Sequence, residues 1–289
     1  MATVLPANEE AIGAWNGVLF DRFLEFRHVL AVSPGEHGEE AFRANPPRLG
    51  DKALDIGCGF GDTAQRLAEL VGPGGSVLGV DSSERFVEAA RREAEEAGVE
   101  NVSFEVGDVQ QMELGEGFDY VFSRFGTMFF ANPVAALRNV REALRPGGRL
   151  CMVVWRQKPD NGWLHSAELV VERYLEEPEE SDEPTCGPGP FSMANADTTS
   201  GILTAAGYEE IGLRRCDRPY LMGRDLDEAI DLVMALGPAG ELIRLAGDKA
   251  EELRPQLRVD LRDALAQYDG PDGVVGTSST WIVTARAPS

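Results

Sequence analysis

Three aspartates and a run of glycines are the residues whose types and spacing could do chemistry. Lys52 to Thr63 reads KALDIGCGFGDT, in which a short apolar stretch, Ala53-Leu54-Asp55-Ile56, stops at Gly57-Cys58-Gly59-Phe60-Gly61. From Thr63 the apolar residues Leu67, Ala68, Leu70 and Val71 recur at helical spacing, so the stretch reads as strand, glycine turn and helix. Glycines let ligand atoms approach bare main chain, and a helix start offers N–H groups with no partner in the helix. Together these favour a carboxylate or a phosphate. Asp81 ends the next apolar run, Val77-Leu78-Gly79-Val80, at a spacing where nucleotide-binding α/β folds put an acid on ribose hydroxyls. A carboxylate suits a diol because it accepts two hydrogen bonds at once. Asp108 follows a third run, Asn101 to Val106, in the same phase.

The glycine spacing separates two kinds of ligand. A dinucleotide fingerprint needs glycines at its first, third and sixth positions, and the sixth position from Gly57 is Asp62. Gly-x-Gly-x-Gly after an Asp-containing strand instead resembles the first motif of class I S-adenosylmethionine-dependent methyltransferases. A helix over Pro133 to Leu144, the turn Arg145-Pro146-Gly147-Gly148 and a strand over Leu150 to Trp155 match the same superfamily. The passage from Phe118 to Leu150 resembles the branch grouped with the methyltransferases of ubiquinone and menaquinone biosynthesis, and the resemblance runs from about Leu49 to Trp155.

That resemblance implies S-adenosyl-L-methionine as cofactor. Asp81 is then expected on its ribose, and Asp108 on its adenine amino group. The backbone of Val109 is expected on the ring edge. Backbone around Gly57, Cys58, Gly59 and Gly61, with Ser123, is expected on the methionine part, Ser82 belongs to the same site, and Asp55 braces the loop. The implied fold is α/β: a Rossmann-like, doubly wound sheet of seven strands, mostly parallel with an antiparallel last strand, plus a helical cap.

One domain over residues 1–289 is expected. Residues 1–48 form an N-terminal helical lid, with Glu9 to Val32 helical and a breaker-rich connection from Ser33 to Pro47. Residues 49–157 form the cofactor-binding core. Residues 158–276 form a substrate cap with one returning strand near 208–217, and 277–289 hold the last strand. Within the cap, Glu176 to Pro190 reads as an acidic, proline-rich connector, and the helix from Glu241 to Tyr268 as interrupted near Pro255.

The net charge of −22 argues against nucleic acid and anionic membranes as main partners. Cys58, Cys151, Cys186 and Cys216 are scattered, so neither a disulfide framework nor a metal site is readable, and a reduced cytoplasm is expected. No apolar stretch reaches the length of a membrane span. Pairing of two chains is compatible with the sequence.

The acceptor is expected to be small, aromatic or prenyl-linked. Its pocket is expected from Trp15, Phe20, Phe125, Met128, Phe129 and Trp163, because ligands of open α/β sheets sit beyond the carboxyl ends of the strands. His165 is the first candidate for a base. Arg124, which stays charged, is the candidate for orienting an acceptor oxygen or a carboxylate. Two other readings compete: a non-catalytic S-adenosylmethionine-binding protein, and a nicotinamide-dependent oxidoreductase.

Overall fold

Residues of the first strand, Lys52–Ile56, alternate between two hydrophobic cores: Leu54 and Ile56 enter one, and Ala53 enters the other with Leu67, Tyr120 and Phe122. A strand buried on both faces needs layers on both sides. In the computed structural model, which describes residues 6–176 and 188–289, helices supply them. Cys186 and most of the Glu176–Pro190 connector lie outside the described residues.

The chain begins with α1 (Pro6–Asn16), α2 (Val18–Glu25) and α3 (Arg27–Ala44). The sheet portion then runs β1 (Lys52–Ile56), α4 (Asp62–Val71), β2 (Ser76–Asp81), α5 (Glu84–Ala97), β3 (Val102–Val106), β4 (Phe118–Arg124), α6 (Pro133–Ala143) and β5 (Leu144–Trp155). Beyond it come α7 (Gly162–Val171), α8 (Ala196–Ala206), β6 (Glu209–Gly223), α9 (Leu226–Ala235), α10 (Gly237–Ala246) and α11 (Asp248–Leu265). The two-residue β7 (Asp269–Gly270) and β8 (Gly273–Arg286) complete the described order. Among the described residues the strand order is β3-β2-β1-β4-β5-β8-β6, the seven strands expected, with the two-residue β7 paired to β8 as an eighth off that path. β1 to β5 pair in parallel, and β8 runs antiparallel between β5 and β6. The long strand β6 runs six residues past the expected 208–217, and β8 starts four residues before the expected 277–289.

Two local readings are corrected. Ser33 to Pro47 is mostly helix: α3 continues through Pro34 to Ala44. Val29, Ser33, His37 and Ala41 fall four apart and are all buried, as are Pro34, Gly38 and Phe42, so packing on the sheet outweighs the breakers. Gly38 is fitted to this face, because a Cβ there would lie 3.3 Å from Arg124 Cδ. Likewise the last helical stretch breaks at Gly247 (φ +52°), between α10 and α11, and α11 runs on through Pro255.

His37 anchors α3 to the late strands. Its Nε2 pairs with Ser278 Oγ at 2.6 Å and its Nδ1 with Thr280 Oγ1 at 3.0 Å. Burial, reinforced by nearby Arg218, lowers its pKa to about 4. The unfolded imidazole takes up a proton near pH 6.5 and the folded one does not. This contribution to stability is therefore intact above pH 6.5 and is lost as the pH falls toward 4, by about 3 kcal/mol in all. Urea unfolding at pH 7 and pH 4.5 should show the wild type losing about 2 kcal/mol more than His37→Gln over that interval; equal losses would contradict the assignment.

Candidate active site

β1 ends where two backbones touch. Gly57 has φ +67°, and a Cβ on it would lie 2.8 Å from Gly126 Cα; a Cβ on Gly126 would lie 2.8 Å from the Ile56 carbonyl oxygen. Neither position has room for a side chain. Ser123 Oγ donates to that same Ile56 carbonyl at 2.7 Å, tying β4 to β1 just before the bend. Gly59 N–H donates to Asp81 Oδ2 at 2.9 Å, and Ser83 N–H to Asp81 Oδ1 at 2.9 Å, so the acid at the end of β2 is fixed by main chain on both oxygens. Each oxygen keeps a lone pair for a further donor.

Asp55 lies beneath the bend, fully buried. Its Oδ2 accepts from Thr63 Oγ1 at 2.5 Å, which fastens β1 to the first turn of α4, and its Oδ1 has no hydrogen-bond partner. Burial raises its pKa to about 7, with the Thr63 hydrogen bond and Arg124 opposing. Burial also raises the Asp81 carboxyl, against its main-chain hydrogen bonds. The Cys58 thiol is pushed well up by burial and by Asp81, so it stays protonated.

A cavity of about 730 Å³ opens over this edge of the sheet. Gly57, Cys58, Gly59, Asp81, Ser82, Asp108 and Val109 line it from the ends of β1, β2 and β3, and Arg124, Phe125, Met128 and Phe129 from the end of β4 and the turn after it. Trp15 and Phe23 reach it from α1 and α2, Trp163 and Glu168 from α7, and Leu236, Leu242 and Leu245 from the segment around α10. Asp108 accepts from Gln110 N–H at 3.0 Å and from the side-chain amide of Gln110 at 3.1 Å.

Several expected residues stand elsewhere. Gly61 and Ser123 support the bend from behind and do not line the cavity, while Asp55, expected as a brace, is also off the lining and is bonded to Thr63; a Cβ on Gly61 would meet Ala90 and Phe104 at 3.0 Å. Phe20 packs against Phe86 and Phe60, at ring separations of 4.9 and 5.6 Å, instead of lining the cavity. His165 is also absent from the lining; its Nδ1 lies 3.6 Å from Glu168 Oε2, behind a carboxylate that does line it. Arg124 does reach the cavity. Burial lowers its pKa, Asp62 and Asp55 oppose that, and the Asp62 carboxylate is 3.8 Å away.

The structure adds residues that the sequence reading passed over. Arg27 opens α3, stacks 4.0 Å over the Phe60 ring and bonds Asp62 and Glu93, while its second terminal nitrogen is buried without a hydrogen bond. Trp155, Tyr220, Lys158 and Glu168 also line the cavity. Glu168 was within reach, since it lies four residues after the inward-facing Leu164 in a helix. Tyr220 was not, because it lies past the expected end of its strand. Phe125 sits at φ +63°, a left-handed conformation that costs a bulky residue about 1–3 kcal/mol. Its N–H is held by Val153 O at 2.9 Å.

Residues 48–195, just over half of the chain, match the sequence profile of a methyltransferase domain. The chain belongs to this methyltransferase domain family. Among its curated relatives are an uncharacterised 37.1 kDa protein in a Streptomyces fradiae transposon, 42% identical over 106 residues, and the demethylmenaquinone methyltransferase of Staphylococcus aureus, 38% identical over 102 residues. These matches cover 36% and 35% of the chain but 30% and 42% of the relatives, so the chain spans less than half the length of either. Among solved structures, Haemonchus contortus phosphoethanolamine N-methyltransferase 2 superposes with a TM-score of 0.57 at 17% identity, covering 99% of this chain and 61% of that one. The fold is thus the Rossmann-like methyltransferase fold, and the cofactor to test against its cavity is the one expected from the sequence, S-adenosylmethionine.

The residues present fit that cofactor. Asp81 offers free lone pairs toward the cavity, the glycine bend presents bare main chain, and the unbonded Arg27 nitrogen suits a carboxylate.

Two substitutions test this construction. Gly57→Ala should lower the melting temperature and abolish binding of S-adenosylhomocysteine in calorimetry, because the new methyl group overlaps Gly126. For Asp55, folding favours the protonated carboxyl, so its ionisation costs stability as the pH rises from about 3.8 through 7. Asp55→Asn should therefore be more stable than wild type at pH 8, by up to about 4 kcal/mol, and nearly equal to it at pH 4. A variant equally destabilised at both values would refute the buried-carboxyl account.

Proposed function

We propose that this protein transfers a methyl group from S-adenosylmethionine to a small, largely apolar acceptor held between the carboxyl edge of the sheet and the helices α1, α2, α7 and α10. The observation that carries this reading is the continuity of the cavity. The same space that meets Asp81, Asp108 and the glycine bend is walled by Trp15, Phe23, Trp163 and the leucines around α10. A site for donor and acceptor together needs both kinds of wall. The similarity to a demethylmenaquinone methyltransferase supports an apolar acceptor.

In this reading Asp81 accepts hydrogen bonds from the ribose hydroxyls and Asp108 from the adenine amino group, with the buried side chain of Val109 beside it. Arg27 and Arg124 face the amino-acid carboxylate near the glycine bend. When bound, the cofactor supplies a methyl carbon on a sulfonium: as an acceptor lone pair bonds to that carbon, the carbon–sulfur pair returns to sulfur as a neutral thioether. The protein's own part is alignment and exclusion of water. Holding two reactants in line can supply several kcal/mol of the barrier reduction. Aromatic walls keep the developing bond away from solvent. The thiol of Cys58, held protonated, takes no nucleophilic part.

Calorimetry should show stoichiometric binding of S-adenosylhomocysteine by the wild type and at least about 100-fold weaker binding by Asp81→Ala, which removes both ribose contacts and the brace on Gly59. Transfer of labelled methyl to members of a panel of phenols, quinols, indoles and amines should follow. Cofactor binding with no turnover on any would favour the non-catalytic reading, and binding of reduced nicotinamide in its place would overturn the proposal.

A further inference from the structure

Four rings cross the cavity wall in sequence. Phe125 at the end of β4 stacks on Trp155 at the end of β5, with centroids 4.5 Å apart and planes at 20°. Trp155 faces Tyr220 of β6 at 6.2 Å, and Tyr220 stacks on Trp163 of α7 at 4.4 Å and 23°. All four line the cavity. The row starts one residue from Gly126, at the glycine bend, and ends on the cap helix, so it spans the distance from cofactor side to acceptor side.

The Tyr220 hydroxyl on this row is uncommitted, as is the buried Trp163 Nε1, which can donate but not accept. Tyr220 is 4% exposed, and among the described residues its hydroxyl has no hydrogen-bond partner. Buried tyrosines ordinarily find one, as Tyr120 does with Asn45 O at 2.8 Å. Burial alone raises the Tyr220 pKa, so the phenol stays protonated and can donate. The cations around the cavity are by contrast largely engaged, Arg22 with Ala235 O, Lys158 with Glu168, Arg27 with Asp62 and Glu93, and Arg124 beside Asp62, and the one unbonded Arg27 nitrogen is left for the cofactor's carboxylate. A phosphorylated acceptor would have to displace these partners. A neutral ring would displace none.

We propose that Phe125, Trp155, Tyr220 and Trp163 form the platform for a planar aromatic acceptor, and that the Tyr220 hydroxyl fixes an oxygen substituent on it. This rests on the methyltransferase reading of the same cavity and assigns Tyr220 as the positioning and specificity-determining residue. The ring edges along the cavity and the tilted step between Trp155 and Tyr220 offer a flat ring edge-to-face and offset contacts that a saturated ring of the same size, lacking a π face, does not make. The hydroxyl sets the rotation of the ring in its plane, and with it which ring atom meets the methyl group.

The test titrates the full chain, with and without S-adenosylhomocysteine, with 2-naphthol, naphthalene, the saturated alcohol 2-decalol and phosphoethanolamine. The wild type should bind 2-naphthol about tenfold or more tighter than either naphthalene or 2-decalol, and phosphoethanolamine not measurably. Tyr220→Phe should bring 2-naphthol down to the affinity of naphthalene while its melting temperature and S-adenosylhomocysteine affinity stay at wild-type values. Trp155→Leu should weaken both aromatic ligands alike. Equal wild-type affinity for 2-naphthol and 2-decalol, an unchanged naphthol-to-naphthalene ratio in Tyr220→Phe, or binding of phosphoethanolamine in preference to the ring compounds would each overturn the proposal. Failure of the wild type to bind S-adenosylhomocysteine would instead overturn the methyltransferase reading, since the ring series is also measured without it.

Discussion

The contact between Gly57 and Gly126 is the constraint on which the rest of the site depends. Two main chains meet there with no side chain between them, and the hydrogen bond from Ser123 to Ile56 O holds them in place. Because the ends of β1 and β4 approach so closely, the chain after β1 must turn sharply, which points the Gly59 N–H at Asp81 and sends α4 back along the sheet. The same approach leaves Phe125 little choice of backbone. Its left-handed conformation is sustained by Val153 O on one side and by the stacked Trp155 ring on the other. Strain of this kind persists where surrounding structure over-determines it.

Electrostatics in the site follow from what that bend encloses. Asp55 is shut beneath it with one oxygen bonded and one bare, so its carboxyl resists ionisation. Asp81, at the end of the neighbouring strand, is served by main-chain N–H groups, and the cavity reaches it. Two aspartates on the same face of adjacent strands thus have different surroundings, and the difference is set by their height: Asp55 pairs with Gly79, so Asp81 stands two residues nearer the open end of the sheet.

Much of the core was legible because its signals are local. Glycines at 57, 59 and 61 and acids at 81 and 108 lie within short strand-turn-helix units, whereas the turn expected at Arg145–Gly148 is taken into β5, where the register with β4 slips between Leu144 and Arg149. The misreadings have physical causes. Pro34 and Gly35 look like breakers, yet α3 continues past them because its buried face is spaced four residues apart against the sheet. Pro255 is carried inside α11, while the break falls at Gly247, where the backbone turns to positive φ. Phe20 and His165 were plausible as site residues by type, but helix phase turns Phe20 into the Phe60–Phe86 cluster and leaves His165 behind Glu168.

The sequence by itself determined the fold of the first sheet half and the placing of Asp81 and Asp108 at its edge, because a strand, a tight turn and the helix it feeds are fixed by neighbours a few residues apart. Tertiary structure alone decided the other wall of the cavity. Arg27, Trp155, Glu168 and Tyr220 come from separate helices and strands, and their meeting depends on β8 inserting antiparallel between β5 and β6 and on α7 folding over that edge. Contacts between residues so distant along the chain leave no periodic trace in the sequence, since each residue satisfies its own element's pattern whichever partner it eventually faces.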